Sequence, residues 1–256
     1  MADIDATEAF KNFQNFQGFT EELYGCIPVL TAIGSHNNCN FGEDEMWEPT
    51  EGRLLAYFID NGDYWGWNSS ATIFGSWFKN GGNPSSQGNG DKGNLWGLAW
   101  YGIRKANIGI ANLELLVDAS DEEKELIEGQ LYFFRGWFHF MLMQYWGGLP
   151  YVDVVIPSDQ TPAIPRLNYQ ATADKATADF QKAADLLPLD WDDTEVGKKI
   201  AGSENNRYRA NKIMAMAFMG KNLLLAGSPL MNRHKLTGLL RLSWLKSSRG
   251  MTLNRF

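Results

Sequence analysis

Seven aromatic residues, Trp47, Tyr57, Phe58, Tyr64, Trp65, Trp67 and Trp77, stand among Asp60, Asn61, Asp63, Asn68, Asn80 and Asn83. A flat indole or phenol ring offers an apolar face and a polar tip. Carboxylates and amides around such rings add hydrogen-bond acceptors, and the amides add donors. A ligand with one face of C–H groups and a rim of hydroxyls would use both, and a sugar is such a ligand. Tyr64-Trp65-Gly66-Trp67-Asn68 holds both kinds of group within five residues. If this stretch is extended, Trp65 and Trp67 share a face; if it is helical, they diverge. The competing reading is that the rings pack onto helices beneath them, and the residues alone leave both open. The candidate ligand contacts are Asp44, Trp47, Asp63, Tyr64, Trp65, Trp67, Asn68 and Trp77.

Asp44, Glu45, Glu48, Asp60 and Asp63 lie in the same region and raise the question of catalysis. A glycoside hydrolase needs two carboxylates about 5–10 Å apart across the scissile bond. Acids in loops more commonly stay solvated or bind hydroxyls, so no catalytic residue is assigned. His36, His139 and His234 have no metal-ligand spacing with one another. His36-Asn-Asn-Cys39 lacks a second pair of ligands, so no metal is assigned either. His139 falls in an apolar run and reads as a core histidine with its nitrogens satisfied. Gly81, Gly82, Gly88, Gly90 and Gly93 have no Gly-Lys-Ser/Thr ending, and no nucleophile elbow or dinucleotide fingerprint occurs. No cofactor is implied.

These residues need a scaffold, and the chain has the means to build one. It has 256 residues, 44% of them hydrophobic, with ten Trp. Its mean hydropathy is slightly negative, as for a soluble chain. No run of 18 or more apolar residues is present to cross a membrane as a helix. The net charge of −7 argues against nucleic acid, whose phosphates require clustered Lys and Arg. All acids lie at or before Glu204, whereas residues 205–256 carry ten Lys or Arg. Cys26 and Cys39 are too few for a disulfide framework; two buried thiols are favoured over a single bridge. The opening Met-Ala-Asp-Ile-Asp lacks the basic and apolar regions of an export signal and any nearby Cys for lipid. Either the chain is cytoplasmic or its sequence is written without a leader.

Apolar spacing of three and four predicts helices. Phe10, Phe13, Phe16, Leu23, Ile27 and Leu30 mark one from Thr7 to about Ile33, weakened at Gly18 and kinked or ended by Pro28. Residues 34–95 read as a long aromatic-rich loop insertion, with almost pure turn composition from Asn80 to Asn94. A second helix is expected from Asn94 to Val117, with Trp96, Trp100, Ile103, Asn107 and Ile110 on one face. A third starts at Ser120, with Glu123 completing a capping box, and ends near Trp146 before Gly147, Gly148 and Pro150. Its apolar residues cover most of its circumference, which makes it central. Tyr151–Ile156 is a short strand candidate, followed by Pro157, Pro162 and Pro165. A fourth helix, Ala171–Leu187, and a fifth, Ala210–Ala226, are joined by a polar loop. The fold class is mainly α: tetratricopeptide-like antiparallel helix pairs with degenerate repeats. Residues 233–256 form an atypical basic tail outside the fold, read either as an interaction arm or, preferably, as a shift of reading frame after about Asn232.

Glu128–Val152 (EGQLYFFRGWFHFMLMQYWGGLPYV) resembles the signature helix of the RagB/SusD family of nutrient-uptake proteins. Phe134-Arg135-Gly136 takes the place of its Leu-Arg-Ala, and Gly147-Gly148-Leu149-Pro150 matches its ending. Trp96, Trp100-Tyr101, Ile103 and Ala106-Asn107 are similar to the preceding family helix. Tyr208-Arg209-Ala210-Asn211-Lys212 and Ala226-Gly227-Ser228-Pro229-Leu230-Met231-Asn232 resemble a later helix and its exit, and Asp44-Glu45 resembles the pair opening the loop region. The resemblance runs over about residues 1–232. Arg135 would pair structurally with Glu128, seven residues away on the same face.

The resemblance implies an outward-facing lipoprotein of the bacterial outer membrane, lipid-anchored in its full-length form. Such a protein binds an oligosaccharide or starch-like polysaccharide without catalysis or cofactor. It delivers the nutrient to a SusC-like TonB-dependent transporter. The lipidated Cys and the family's C-terminal half, which supplies part of the binding face, do not appear in the sequence. Ligand residues do not carry over by motif, so the site assignment rests on loop chemistry. A helical-repeat adaptor that binds protein and a helical glycoside hydrolase using loop carboxylates are the alternative readings.

Overall fold

The computed structural model describes residues 6–27, 95–157, 159, 163–199 and 206–232. The chain divides into two compact units, Glu21–Gly102 and the remainder. Among the described residues all regular structure is helical, apart from one isolated bridge between Asn12 and Asp118. The mainly α, tetratricopeptide-like reading therefore holds.

The first apolar stripe forms two helices, α1 (Ala6–Phe10) and α2 (Phe13–Gly25). The break falls at Lys11–Asn12, because Asn12 Oδ1 accepts from Asn15 N at 2.9 Å and so caps α2. The second predicted helix is shorter than expected. α3 (Leu95–Ala111) stops before Asn112, and a 3-10 turn follows at Leu113–Leu115. Asn112 donates back to Ile108 O at 2.8 Å, a local bond that competes with helix continuation.

α4 (Asp121–Trp146) has the expected bounds. Ser120 Oγ accepts from Glu123 N at 3.2 Å, and Glu123 Oε2 accepts from Ser120 N at 2.8 Å. At the other end Arg166 donates to Trp146 O at 2.6 Å and to Gly148 O at 2.5 Å, satisfying carbonyls that the helix leaves open. Sixteen of its residues are buried, from Leu126 to Met143, so α4 is the core element of its unit.

α5 (Tyr169–Leu186) begins at its Asn168 cap and α7 (Lys212–Ala226) at its Asn211 cap. The stretch between them, expected as a polar loop, holds a 3-10 turn at Trp191–Asp193 and the short helix α6 (Glu195–Lys199). Trp191 explains the order there: it is buried with Leu126 and Val196, and its Nε1 donates to Ala210 O at 2.8 Å.

Contacts along the helices fix an antiparallel succession. The Asn107–Arg135 bond sets Ile103–Ala111 of α3 against α4. A Cβ at Gly136 would lie 3.1 Å from Asp179 Cβ, so α4 and α5 cross closely there. α7 runs back along α5, with Asn222 bonded to Ala173 O at 2.8 Å and Gln170 bonded to Ala226 O at 2.7 Å.

Two sequence expectations fail at one place, for a common reason. Arg135 does not pair with Glu128. Seven helical residues separate two side chains by about 10 Å along the axis, and Glu128 instead meets Lys182 at 3.1 Å. Arg135 turns to α5, where Nε and Nη2 grip Asp179 at 2.7 and 2.6 Å. Its Nη1 donates to Asn107 Oδ1 at 3.1 Å. Tyr151–Ile156 is not a strand, because side chains take the bonds a sheet would have supplied. Asn107 donates to Val152 O and Val154 O at 2.9 and 3.2 Å. His139 Nε2 accepts from Val152 N at 3.1 Å, Arg104 donates to Ile156 O, and Tyr151 OH donates to Asp179 Oδ2 at 2.5 Å.

The electrostatics of this cluster follow from burial. Desolvation alone would lower Arg135, but the hydrogen-bonded Asp179 carboxylate outweighs it and raises the guanidinium above its ordinary value. Burial and Asp179 both raise Tyr151, which keeps it a neutral donor. His139 is buried and neutral. Its Nε2 accepts, so Nδ1 carries the proton and donates to Arg135 O at 2.8 Å, as the core-histidine reading requires. Burial holds its pKa down to about 3.

Three outcomes follow for stability, all measurable by urea denaturation. Gly148→Ala would bring a Cβ to 2.3 Å from Leu167 O and 2.7 Å from Tyr169 N, backbone atoms that cannot swing away. It should cost about 1–3 kcal/mol. Arg135→Met or Asp179→Leu alone leaves a buried charge unpaired and should cost about 3–5 kcal/mol, while the double variant costs less than the sum. His139 is depressed in the folded chain relative to an unfolded value near 6.5. Its contribution is complete above pH 6.5 and shrinks as pH falls towards 3, since the unfolded chain then takes the proton. Between pH 6 and 4 this group should remove about 1.4 kcal/mol of stability per pH unit, and His139→Gln should lack that share of the slope.

Candidate functional site

The eight candidate contacts, Asp44, Trp47, Asp63, Tyr64, Trp65, Trp67, Asn68 and Trp77, lie within 28–94, outside the described residues. The loop acids Glu45, Glu48 and Asp60, together with His36 and Cys39, lie there too. What the structure describes is the pair of helix ends between which this stretch is strung. The last turns of α2 and the first turns of α3 belong to one unit, Glu21–Gly102.

Those ends are joined by a hydrogen bond from Tyr101 OH to Glu22 Oε1. Burial first, and then the Glu22 carboxylate that accepts from it, raise Tyr101 well above the usual phenol range. The phenol therefore stays a donor at any physiological pH. Leu23 and Cys26 on one side, and Leu95, Leu98 and Ala99 on the other, are buried. Cys26 Sγ lies 3.3 Å from Glu22 O, the helical back-bond of a buried thiol. Trp96 and Trp100, one turn apart on α3, meet edge to face with centroids 5.5 Å apart. Sequence spacing placed Trp96, Trp100 and Leu23 on apolar stripes. It missed Glu22 and Tyr101, since a polar residue on a stripe shows nothing of its partner on another helix.

The Arg135, His139, Tyr151, Asp179 cluster contains the residue types of an acid–base site, yet its chemistry is already committed. Both Asp179 oxygens accept from Arg135, one of them also from Tyr151, and both imidazole nitrogens are bonded to backbone. No described group of three His, Cys, Asp or Glu could hold a metal. The cluster positions chain segments. Asp179 was detectable in sequence as a carboxylate one residue from Phe180 on the apolar face of its helix.

A SusD-like family profile, described as starch-binding associating with outer membrane, matches residues 44–221. Solved structures share the fold. A SusD-like protein from Bacteroides fragilis is 18% identical, with TM-score 0.54 over 86% of this chain and 36% of its own. A SusD superfamily protein from Bacteroides thetaiotaomicron is 12% identical, with TM-score 0.56 over 93% of this chain and 48% of its own. Surface glycan-binding protein A from Bacteroides uniformis is 19% identical, with TM-score 0.56 over 94% of this chain and 47% of its own. The chain thus spans less than half the length of each. No curated protein matches. The profile covers more than half of the sequence and includes the central helix with its Arg135 cluster, and on that ground the chain belongs to the SusD-like family.

Proposed function

We propose that this chain is the N-terminal part of a non-catalytic glycan-binding protein of the bacterial outer membrane. In full-length form it is lipid-anchored, faces outward, and passes a starch-like oligosaccharide to a SusC-like TonB-dependent transporter. One observation carries the reading. The match to a family described as starch-binding runs from residue 44 to residue 221 and so includes every candidate contact. Loop chemistry supports it independently. Rings at Trp47, Tyr64, Trp65, Trp67 and Trp77 would stack on the C–H face of a sugar, while Asp44, Asp63 and Asn68 would bond its hydroxyls. The name of the Bacteroides uniformis neighbour, a surface glycan-binding protein, agrees.

Native mass spectrometry of the chain with a panel of starch, laminarin and xylan oligosaccharides tests this. Intact sugar held without new fragments is the expected result; cleavage products would replace the reading with a hydrolase. Trp65→Ala and Trp67→Ala should each weaken binding by about 0.5–1.5 kcal/mol beyond the lost contact area, with unchanged circular dichroism. If both variants bind as wild type does, those rings belong to the core.

A further inference from the structure

We propose that the outer face of α7 is a docking surface for a later helix of the full-length protein, which crosses α7 at Gly220. The proposal rests on the reading of this chain as the N-terminal part of a longer one. Within α7 only Lys212, Lys221 and Asn222 are polar. A helix apolar all round belongs where every side is covered, yet α7 is covered on one. Ala215, Met219, Asn222, Leu223 and Ala226 are buried, on the side that runs along α5. On the opposite side Ile213, Met216, Ala217, Gly220 and Leu224 share an arc of about 100° at 3.6 residues per turn. Ile213 is 57%, Met216 40% and Leu224 61% exposed. Lys212 and Lys221 stand just outside the two margins of this stripe, and no charge lies within it. The last element of a helical stack needs a polar outer face, so this face suits an interior position. A Cβ at Gly220 would meet nothing within 4 Å. Glycine weakens a helix interior relative to alanine, and no described neighbour requires it here; the backbone of a crossing helix would.

Size and charge select the occupant. Five residues are far fewer than the roughly 20–30 on each side of a stable interface between separate chains, which disfavours a second copy. A segment joined to the same chain is held at high effective concentration and needs less. This chain spans less than half of each of the three solved relatives, so a longer protein of this fold has residues to supply the helix. Its docking stripe would be uncharged and apolar, with Asp or Glu at the margins to meet Lys212 and Lys221.

Methionine oxidation reads this face without altering it. Hydrogen peroxide converts an accessible thioether to the sulfoxide. Met216 and the 3% exposed Met219 lie three residues apart, so mass spectrometry compares them within one peptide. In the 256-residue chain Met216 should oxidise much faster than Met219. In the full-length protein, expressed from the gene with its continuation, Met216 should slow to the rate of Met219. Gly220→Leu should leave the urea midpoint of the 256-residue chain unchanged or raised. In the full-length protein it should restore fast oxidation of Met216. Equal Met216 rates in the two proteins overturn the proposal, as does protection that survives Gly220→Leu. Protection in the 256-residue chain that disappears on dilution gives the face to a second copy and overturns it too. No sugar enters these measurements, so the two readings fail separately. A full-length protein that protects Met216 but holds no maltoheptaose overturns the glycan reading alone. One that holds maltoheptaose with Met216 unprotected overturns the docking surface alone.

Discussion

A guanidinium set in the middle of an apolar helix forces everything near it to answer. Arg135 and Asp179 are both nearly excluded from water, and a charge in such a place is tolerable only with its partner in contact. The two-pronged bond between them therefore fixes the register of α4 against α5. Gly136 stands beside Arg135 and leaves room for Asp179 Cβ and Ala176 O to come close. The remaining hydrogen-bonding capacity of the pair recruits Asn107 from α3 and Tyr151 from the connector. One ion pair thus ties three helices and a loop.

The apolar core around this pair is dense in aromatic rings. Phe133, Phe140, Phe180 and Phe218 meet edge to face or stacked across α4, α5 and α7, with centroids between 6.0 and 6.5 Å apart. Rings of that size fill the space between helices with few side chains. The polar cluster supplies what rings cannot, which is direction. Hydrophobic burial favours any compact arrangement of the helices, whereas a bidentate pair is satisfied by one register. Stability and specificity thus come from different residues of the same helix.

Much of this was legible in the sequence. The capping box at Ser120–Glu123 and the glycines after Trp146 marked α4 because these signals act within a few residues of one another. The caps of α5 and α7 shifted their starts by two residues from the apolar pattern, as Asn168 and Asn211 claimed the first turns. What the sequence hid was partnership at long range. Arg135 announced that it needed an acid, but Glu128 was nearer in sequence than Asp179, and only the crossing of α4 with α5 decides between them. Tyr151–Ile156 has the residues of a strand, yet whether a neighbour is another strand or a row of side chains is not a local property. The candidate ligand contacts were legible only as loop chemistry, since Trp65 and its neighbours show ring types without showing which way the rings face.

The way Tyr151–Ile156 is held has a consequence for how the protein can change over generations. Asn107, Arg104, Arg135 and His139 grip carbonyl and amide groups, which every residue possesses. Asp153, Val154 and Val155 point outward and are exposed. Drift at Val154 and Val155 leaves the gripping bonds intact, whereas Asp153 also holds Lys175 at 2.7 Å, and a change at a gripping side chain releases the groups that it holds. The connector is therefore tolerant at Val154 and Val155, and constrained at Tyr151 and in the gripping residues of other helices. Its identity is written elsewhere in the chain, and comparison of relatives by this stretch alone would underestimate how closely their structures agree.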